Sequence, residues 1–346
     1  MTVRRLLVPL AAVALVAAAF MIPFGSSSNS SANAAVAETP STGYTIISTG
    51  PGLCDLYSIE LATGVLTDLP ATSSEAACAN DLAVAPNGTV YGITGTRFFG
   101  PVSVAPAEDS AGGAELITFS ADGTPSGQSL TVDGFPISGI TGGSIAVDAA
   151  GTVYVIAVNE TTCNPLLAPG SGIEPSDTYV FNCLYSVNLS TGALTQIGDG
   201  FAANAVIWGL TSCASSMWTL TDRLPPLSID SEPSALPTSI SFPWLNINPT
   251  TAAIALAGGS ERPLGYDCLA NRSTVYALTG ALLTDSSVTD PAEVSPSQTL
   301  GTVDPTTGVF TPTVALSPAV VIGGFPAFAV APPQDTPEPT PPVFTR

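Results

Sequence analysis

The phrase LYSIELATGVLTDL, beginning at Leu56, returns as LYSVNLSTGALTQI at Leu184. Looser copies start at Trp244 (WLNINPTTAAIAL) and Leu300 (LGTVDPTTGVFTPTV), and a more diverged one at Leu116 (LITFSADGTPSGQSLTV). A second phrase alternates with the first: LAVAPNGTVYGIT from Leu82, IAVDAAGTVYVIAV from Ile145 and YDCLANRSTVYALTG from Tyr266. Such repetition constrains a chain strongly, because each copy buries its apolar face only by stacking on the next.

Within each copy apolar and polar residues alternate with period two, the pattern of strands. Four short strands are expected per copy. The first is small and apolar (Leu82–Ala85, Ile145–Asp148, Gly209–Cys213, Tyr266–Ala270). The second carries an aromatic after Val or Met, as at Val90-Tyr91, Val153-Tyr154, Met217-Trp218 and Val275-Tyr276; the third is the LYSV type and the fourth the ALTQI type. Asp304-Pro305-Thr306-Thr307-Gly308 and Asn188-Leu189-Ser190-Thr191-Gly192 supply turn chemistry between third and fourth strands. Asn87-Gly88 and Ala150-Gly151 turn the hairpin before them.

Four antiparallel strands repeated about an axis make a β-propeller. The expected fold is all-β, with five four-stranded blades whose third strands start at Leu56, Leu116, Leu184, Trp244 and Leu300. Small residues at Ala83, Ala85, Gly143, Ala146, Ala327 and Ala329 suit the crowded innermost strands. The first copy lacks a first strand, whereas the last ends in a spare first-strand phrase, Ala327–Ala331. Placing that phrase inside Tyr44–Thr49 closes the ring with both ends of the chain and removes an exposed edge. An open β-solenoid is the rival architecture and would need capping repeats.

Met1-Thr-Val-Arg4-Arg5, an apolar stretch to Phe24 and the small-residue sites Ala32-Asn33-Ala34 and Ala35-Val36-Ala37 read as a secretory signal, with an uncleaved anchor as the alternative. The expected organisation is a signal peptide over 1–37, a leader over 38–43, a propeller over 44–331 and a Pro-rich disordered tail over 332–346. No membrane span is expected once the signal is removed, and the mature protein is expected to be a secreted or cell-surface monomer. Six cysteines in an exported chain favour disulfides. Repeat position pairs Cys163 with Cys183 around one long connection and Cys213 with Cys268 in neighbouring repeats, leaving Cys54 with Cys78. A thiolate metal site would need a C-x-x-C spacing, which the chain lacks.

The repeats "LYSV-N-LSTGALTQIG … AVDAAGTVYVI" resemble those of secreted bacterial β-propeller proteins of the quinoprotein-dehydrogenase-like and YVTN-like kind. The resemblance covers about residues 44–331. It implies a fold, and no catalytic residue is carried over, because quinone-binding features are missing: neither a tryptophan-docking motif nor an adjacent-cysteine pair occurs.

Functional candidates follow from topology. Connections between second and third strands are long at Thr96–Ala114, Asn159–Asn182, Arg223–Phe242 and Ala281–Thr299, and short at Gly50–Asp55. All should emerge on one face, where insertions often mark a binding surface; loop decoration without function is the plainer alternative. Links between blades bring Asn80, Asp81, Trp208, Tyr266, Asp267 and Phe325 toward the axial mouth as candidate ligand-binding residues. Two carboxylates among aromatics also suit glycan hydrolysis, although aspartates equally cap turns and aromatics equally seal blade interfaces.

The chain has no histidine and no lysine, and 27 acidic residues against 7 arginines. That excludes Ser-His-Asp and Cys-His triads, imidazole-bound metals, Schiff-base chemistry and a lysine-bearing phosphate loop. The acidic surface argues against a nucleic-acid partner. Asp122-Gly123 and Asp133-Gly134 read as turns, and no metal or cofactor is expected. The expected function is non-enzymatic binding of an extracellular glycan or surface protein through the long-loop face. Alternatives are a carboxylate-dependent glycan hydrolase or lyase and a structural component of the cell envelope.

Overall fold

The computed structural model describes residues 40–50, 53–69, 73–94, 113–137, 144–157, 180–203, 207–213, 216–221, 242–260, 264–269, 273–279, 298–319 and 326–333. Strands are numbered along the chain. Blade 1 is β22 (Phe328–Val330), β1 (Thr42–Gly50), β2 (Leu53–Glu60) and β3 (Leu66–Asp68), from axis to rim. Blade 2 is β4 (Asp81–Val84), β5 (Val90–Thr94), β6 (Glu115–Phe119) and β7 (Pro125–Ser129). Blade 3 is β10 (Ser144–Val147), β11 (Val153–Ala157), β12 (Val180–Val187) and β13 (Leu194–Ala203). Blade 4 is β14 (Ile207–Cys213), β15 (Ser216–Thr221), β16 (Phe242–Ile247) and β17 (Ile254–Ser260). Blade 5 is β18 (Leu264–Cys268), β19 (Val275–Thr279), β20 (Thr299–Val303) and β21 (Phe310–Ala315).

Every within-blade pairing is antiparallel, and the innermost strands touch in the cyclic order β4, β10, β14, β18, β22 and back to β4. The fold is therefore the expected five-bladed propeller. Its closure is also as expected. β22 pairs with β1 through Gly43↔Val330, Tyr44↔Ala329 and Thr45↔Phe328. The buried Thr45 hydroxyl donates to the Ala327 carbonyl at 2.7 Å, and Ala331 N–H to the Thr42 carbonyl at 2.9 Å. β1 begins two residues before the expected start of the propeller, at Thr42, because this pairing extends the strand. Inner strands β14 and β18 likewise start at Ile207 and Leu264, earlier than the apolar phrases indicate.

Five apolar clusters fill the five gaps between blades. One example joins Tyr91, Ile93 and Leu116 of blade 2 to Ile145, Val155 and Tyr185 of blade 3. Another joins Leu220 and Trp244 of blade 4 to Tyr266, Val275 and Val303 of blade 5. At about 1.5–3 kcal/mol for each large buried side chain, these interfaces carry most of the folding energy. Cys54 bonds to Cys78 and Cys213 to Cys268, as repeat position indicates. Cys183 is also disulfide-bonded; its expected partner, Cys163, lies outside the described residues.

The recurring T-G of the repeats has a second role that the sequence pattern does not display. In four blades the turn between third and fourth strands closes by the same i+4 to i bond, with Gly64, Gly192, Ala252 and Gly308 N–H donating to Glu60, Asn188, Asn248 and Asp304 carbonyls at 2.8 Å. The closing residue is left-handed in each, at φ 71°, 71°, 57° and 72°. Three of these turns also clasp the preceding blade. Thr131 N–H donates to Gly192 O at 3.0 Å, Ser317 N–H to Gly64 O at 2.9 Å and Gly259 N–H to Thr307 O at 3.1 Å. A Cβ on Gly192 would lie 2.1 Å from the Ser129 carbonyl oxygen. At this contact the backbones of blades 2 and 3 therefore approach too closely for a side chain.

Between blades 2 and 3 stands an unanticipated hairpin of β8 (Thr131–Val132) and β9 (Phe135–Pro136), turned by Asp133 and Gly134 at φ 51° and 82°. The turn expected at Asp133-Gly134 thus has a strand on each side.

Gly88 has a similar φ of 85° but open space where its Cβ would go. Gly192→Ala should therefore destabilise the protein by at least about 1 kcal/mol more than Gly88→Ala, since both pay left-handed strain but only the first breaks a clasp. Urea unfolding of the two variants measures the difference; equal losses would remove the clasp from the account.

Candidate functional site: the axial carboxylates

The innermost strand of a blade is a sheet edge, and its outward N–H groups face the axis without a neighbouring strand. Register shows how two aspartates meet this need. Opposite the second-strand aromatics Tyr44, Tyr91, Tyr154, Trp218 and Tyr276 stand Ala329, Ala83, Ala146, Thr211 and Asp267. Asp267 thus takes an alanine's place. Asp81 sits two residues earlier along its strand, in register with Ser144.

Asp81 accepts three backbone N–H groups: Leu82 at 2.9 Å on Oδ1, and Ile145 at 3.0 Å and Leu210 at 3.2 Å on Oδ2. The donors come from the inner strands of blades 2, 3 and 4. Asp267 accepts the Thr211 hydroxyl at 2.8 Å and Val330 N–H at 2.9 Å, with a further bond from Cys268 N–H. Its partners come from blades 4, 1 and 5. Two carboxyls, one in each of two tiers, therefore tie all five inner strands together.

Asp81 and Asp267 are 3% and 5% exposed, so both are buried. Burial pushes the Asp81 carboxyl well above the usual carboxylate range, and the charge of Asp267 adds to this against the opposing pull of the three N–H donors. Burial likewise pushes Asp267 up to about 7.

The remaining candidates divide. Tyr266, expected at the axial mouth, is instead 1% exposed between blades 4 and 5, edge-on to Trp244 with ring centroids 4.8 Å apart. Its hydroxyl donates to Gly209 O at 2.9 Å and accepts Leu220 N–H at 2.8 Å. Trp244 in turn stacks on Trp218 at 5.8 Å, so the aromatics form a spine inside the blade interface. Both Tyr266 and Asp267 belong to β18 and not to an inter-blade link. Trp208 likewise lies within β14, paired with Leu220. Asn80, half-buried just before β4, donates its N–H to Ile93 O at 2.7 Å. Phe325 lies outside the described residues.

The structure thus brings Asp81, Asp267 and Tyr266 into the core as bonded members of the hub. Thr211 was not anticipated as a partner; its position in the alanine tier beside a carboxylate was the available signal. No cluster of three or more His, Cys, Asp or Glu fit to hold a metal occurs among the described residues. Nor is any helix there long and apolar enough to cross a membrane.

No protein-family model matches the chain, and no curated protein matches its sequence. Its backbone is similar to TolB from Acinetobacter baumannii, at 12% identity and TM-score 0.38, covering 85% of this chain and 67% of that one. It is also similar to a gluconolactonase from Xanthomonas campestris, at 11% identity and TM-score 0.40, covering 81% and 82%. A third similarity is to a GH43_12 protein retrieved from a capybara gut metagenome, at 10% identity and TM-score 0.44, covering 84% of this chain and 58% of that one. The five-blade order stands on strand pairing within the chain itself.

The bonding predicts unequal effects of removing each charge. In Asp267→Asn the amide can donate to a Thr211 hydroxyl that turns to accept, while its oxygen keeps Val330 N–H. In Asp81→Asn an amide NH₂ faces backbone N–H donors. Asp81→Asn should therefore be the more destabilising by about 1–3 kcal/mol, the cost of an orphaned buried donor. Urea unfolding at pH 5 measures it; equal losses would contradict the three-donor pin.

Proposed function

We propose that this chain is a secreted, non-enzymatic binding propeller that takes an extracellular glycan or protein partner on its long-loop face. The observation that carries the reading is the complete engagement of Asp81 and Asp267 by the inner strands. A glycosidase pair must touch the sugar from both sides of the scissile bond, and these two carboxyls touch backbone and a threonine. The axial dyad is thereby assigned to architecture, and chemical variety is left to the connections.

Topology supports the choice of face. Second strands ending at Thr94, Ala157, Thr221 and Thr279 run in one direction, and their third strands begin at Glu115, Val180, Phe242 and Thr299. The four long connections consequently leave from one rim, shared with the links that enter each inner strand. Disulfides at Cys54–Cys78 and Cys213–Cys268 are compatible with an oxidising compartment, which agrees with the signal-like first residues.

Glycan-array and pull-down screens of the mature protein are expected to yield a ligand whose binding falls at least tenfold when 224–240 and 281–296 are replaced by short Gly/Ser linkers. Both cuts leave the strands and cysteines intact. Unchanged binding by both trimmed forms would reject this face. Turnover of a polysaccharide that Asp81→Asn and Asp267→Asn both abolish in folded protein would reject the non-enzymatic reading.

A further inference from the structure

Among the described residues the hub contains two carboxyls and no cation. All seven arginines fall outside the described residues, and the chain has no lysine or histidine, so no described strand carries a basic side chain. The inner strands carry Asp81, Asp267 and Tyr266 as their titratable groups, Cys213 and Cys268 being joined to each other. The second strands packed outside them add Tyr44, Tyr91, Tyr154 and Tyr276. The charged group acting on Asp81 is another acid, Asp267.

We infer that this propeller is built for acidic surroundings: its ring is most firmly closed in mildly acidic water and loosens as the medium passes above neutrality. The reason is geometric. Two buried acids share one axis with no partner of opposite charge among the described residues, so ionising both places like charges in a dry core. Protonating one removes the repulsion while leaving the bonds satisfied, because the Thr211 hydroxyl can donate to Asp267 or accept from it.

The direction of the pH effect follows from linkage. Asp267 is raised to about 7 in the folded chain, against about 3.9 when unfolded. Its stabilisation is fully present below the unfolded value and is lost as pH rises through the folded one. Asp81, raised for the same reason, acts in the same sense. Exposed Asp122 and Asp304 are lowered by bonds from Ser120 and Thr306 and act oppositely, losing their contribution as pH falls. Composition reinforces acid tolerance. With 7 Lys+Arg against 27 Asp+Glu, the net charge of −20 at pH 7 shrinks on acidification and never becomes strongly positive. Buried histidines, whose charging commonly drives acid unfolding, do not exist in this chain.

The test is thermal unfolding of the intact, disulfide-bonded protein between pH 3 and pH 9, read by near-ultraviolet dichroism of the Trp218–Trp244–Tyr266 spine. The melting temperature is expected to peak at about pH 4–5 and to fall steadily to pH 8. Asp267→Asn is expected to flatten that fall and to melt at or above the wild type at pH 8. A wild-type melting temperature that rises from pH 4 to pH 7 would overturn the inference, as would an Asp267→Asn slope equal to the wild type's. Should the variant not fold, carbon NMR of aspartate-labelled wild type decides: a carboxyl titrating above pH 6 supports the inference, and none doing so overturns it.

Discussion

The structure depends on satisfying edge strands that have no neighbour. A propeller ends each sheet at the axis, where N–H groups point into a space too narrow for another strand. Asp81 gathers such groups from blades 2, 3 and 4, and Asp267 gathers them from blades 5 and 1 while holding Thr211 of blade 4. A carboxyl suits this work because its two oxygens accept without donating. The apolar clusters between blades supply more energy, but they are local to each gap. The aspartates are what fix the inner strands to one another across the axis.

Outside the hub, the same problem recurs at the rim and has a different solution. Each T-G turn bonds backbone to backbone with the blade before it, and glycine permits both the left-handed closure and the close approach. Blade 4 uses Ala252 at the closing position, at φ 57°, and buries its methyl in the gap with blade 3. Blade 2 turns one residue tighter, with Gly123 N–H on the Ser120 carbonyl, and carries the β8–β9 hairpin on the link that follows it. Repeats that look alike in sequence are therefore held by a common geometry with local substitutions.

This arrangement commits the axial groups to holding the scaffold together. Chemically capable groups nearest the axis are consumed by architecture: the carboxyls by N–H donors and the Tyr266 hydroxyl by Gly209 and Leu220. Connections of unequal length at one rim are then the part of the chain free to vary without disturbing the ring.

Periodicity by itself determined the strand type, the number of blades, the closing strand and the pairing of Cys54 with Cys78 and Cys213 with Cys268, because each follows from spacing along the chain. Small residues on the inner strands were legible for the same reason. The role of Asp81 and Asp267 was not. Sequence places an acid beside a turn or near a mouth with equal ease, and only the curvature of the closed ring brings Ile145 and Leu210 within reach of Asp81. Burial of Tyr266 was hidden likewise, since an aromatic at a strand start reads the same whether it faces a channel or the next blade. The clasp behind each T-G turn also required the neighbour's backbone. Local pattern specifies what a segment becomes, whereas contacts between segments far apart in the chain exist only once the blades have closed around a shared axis.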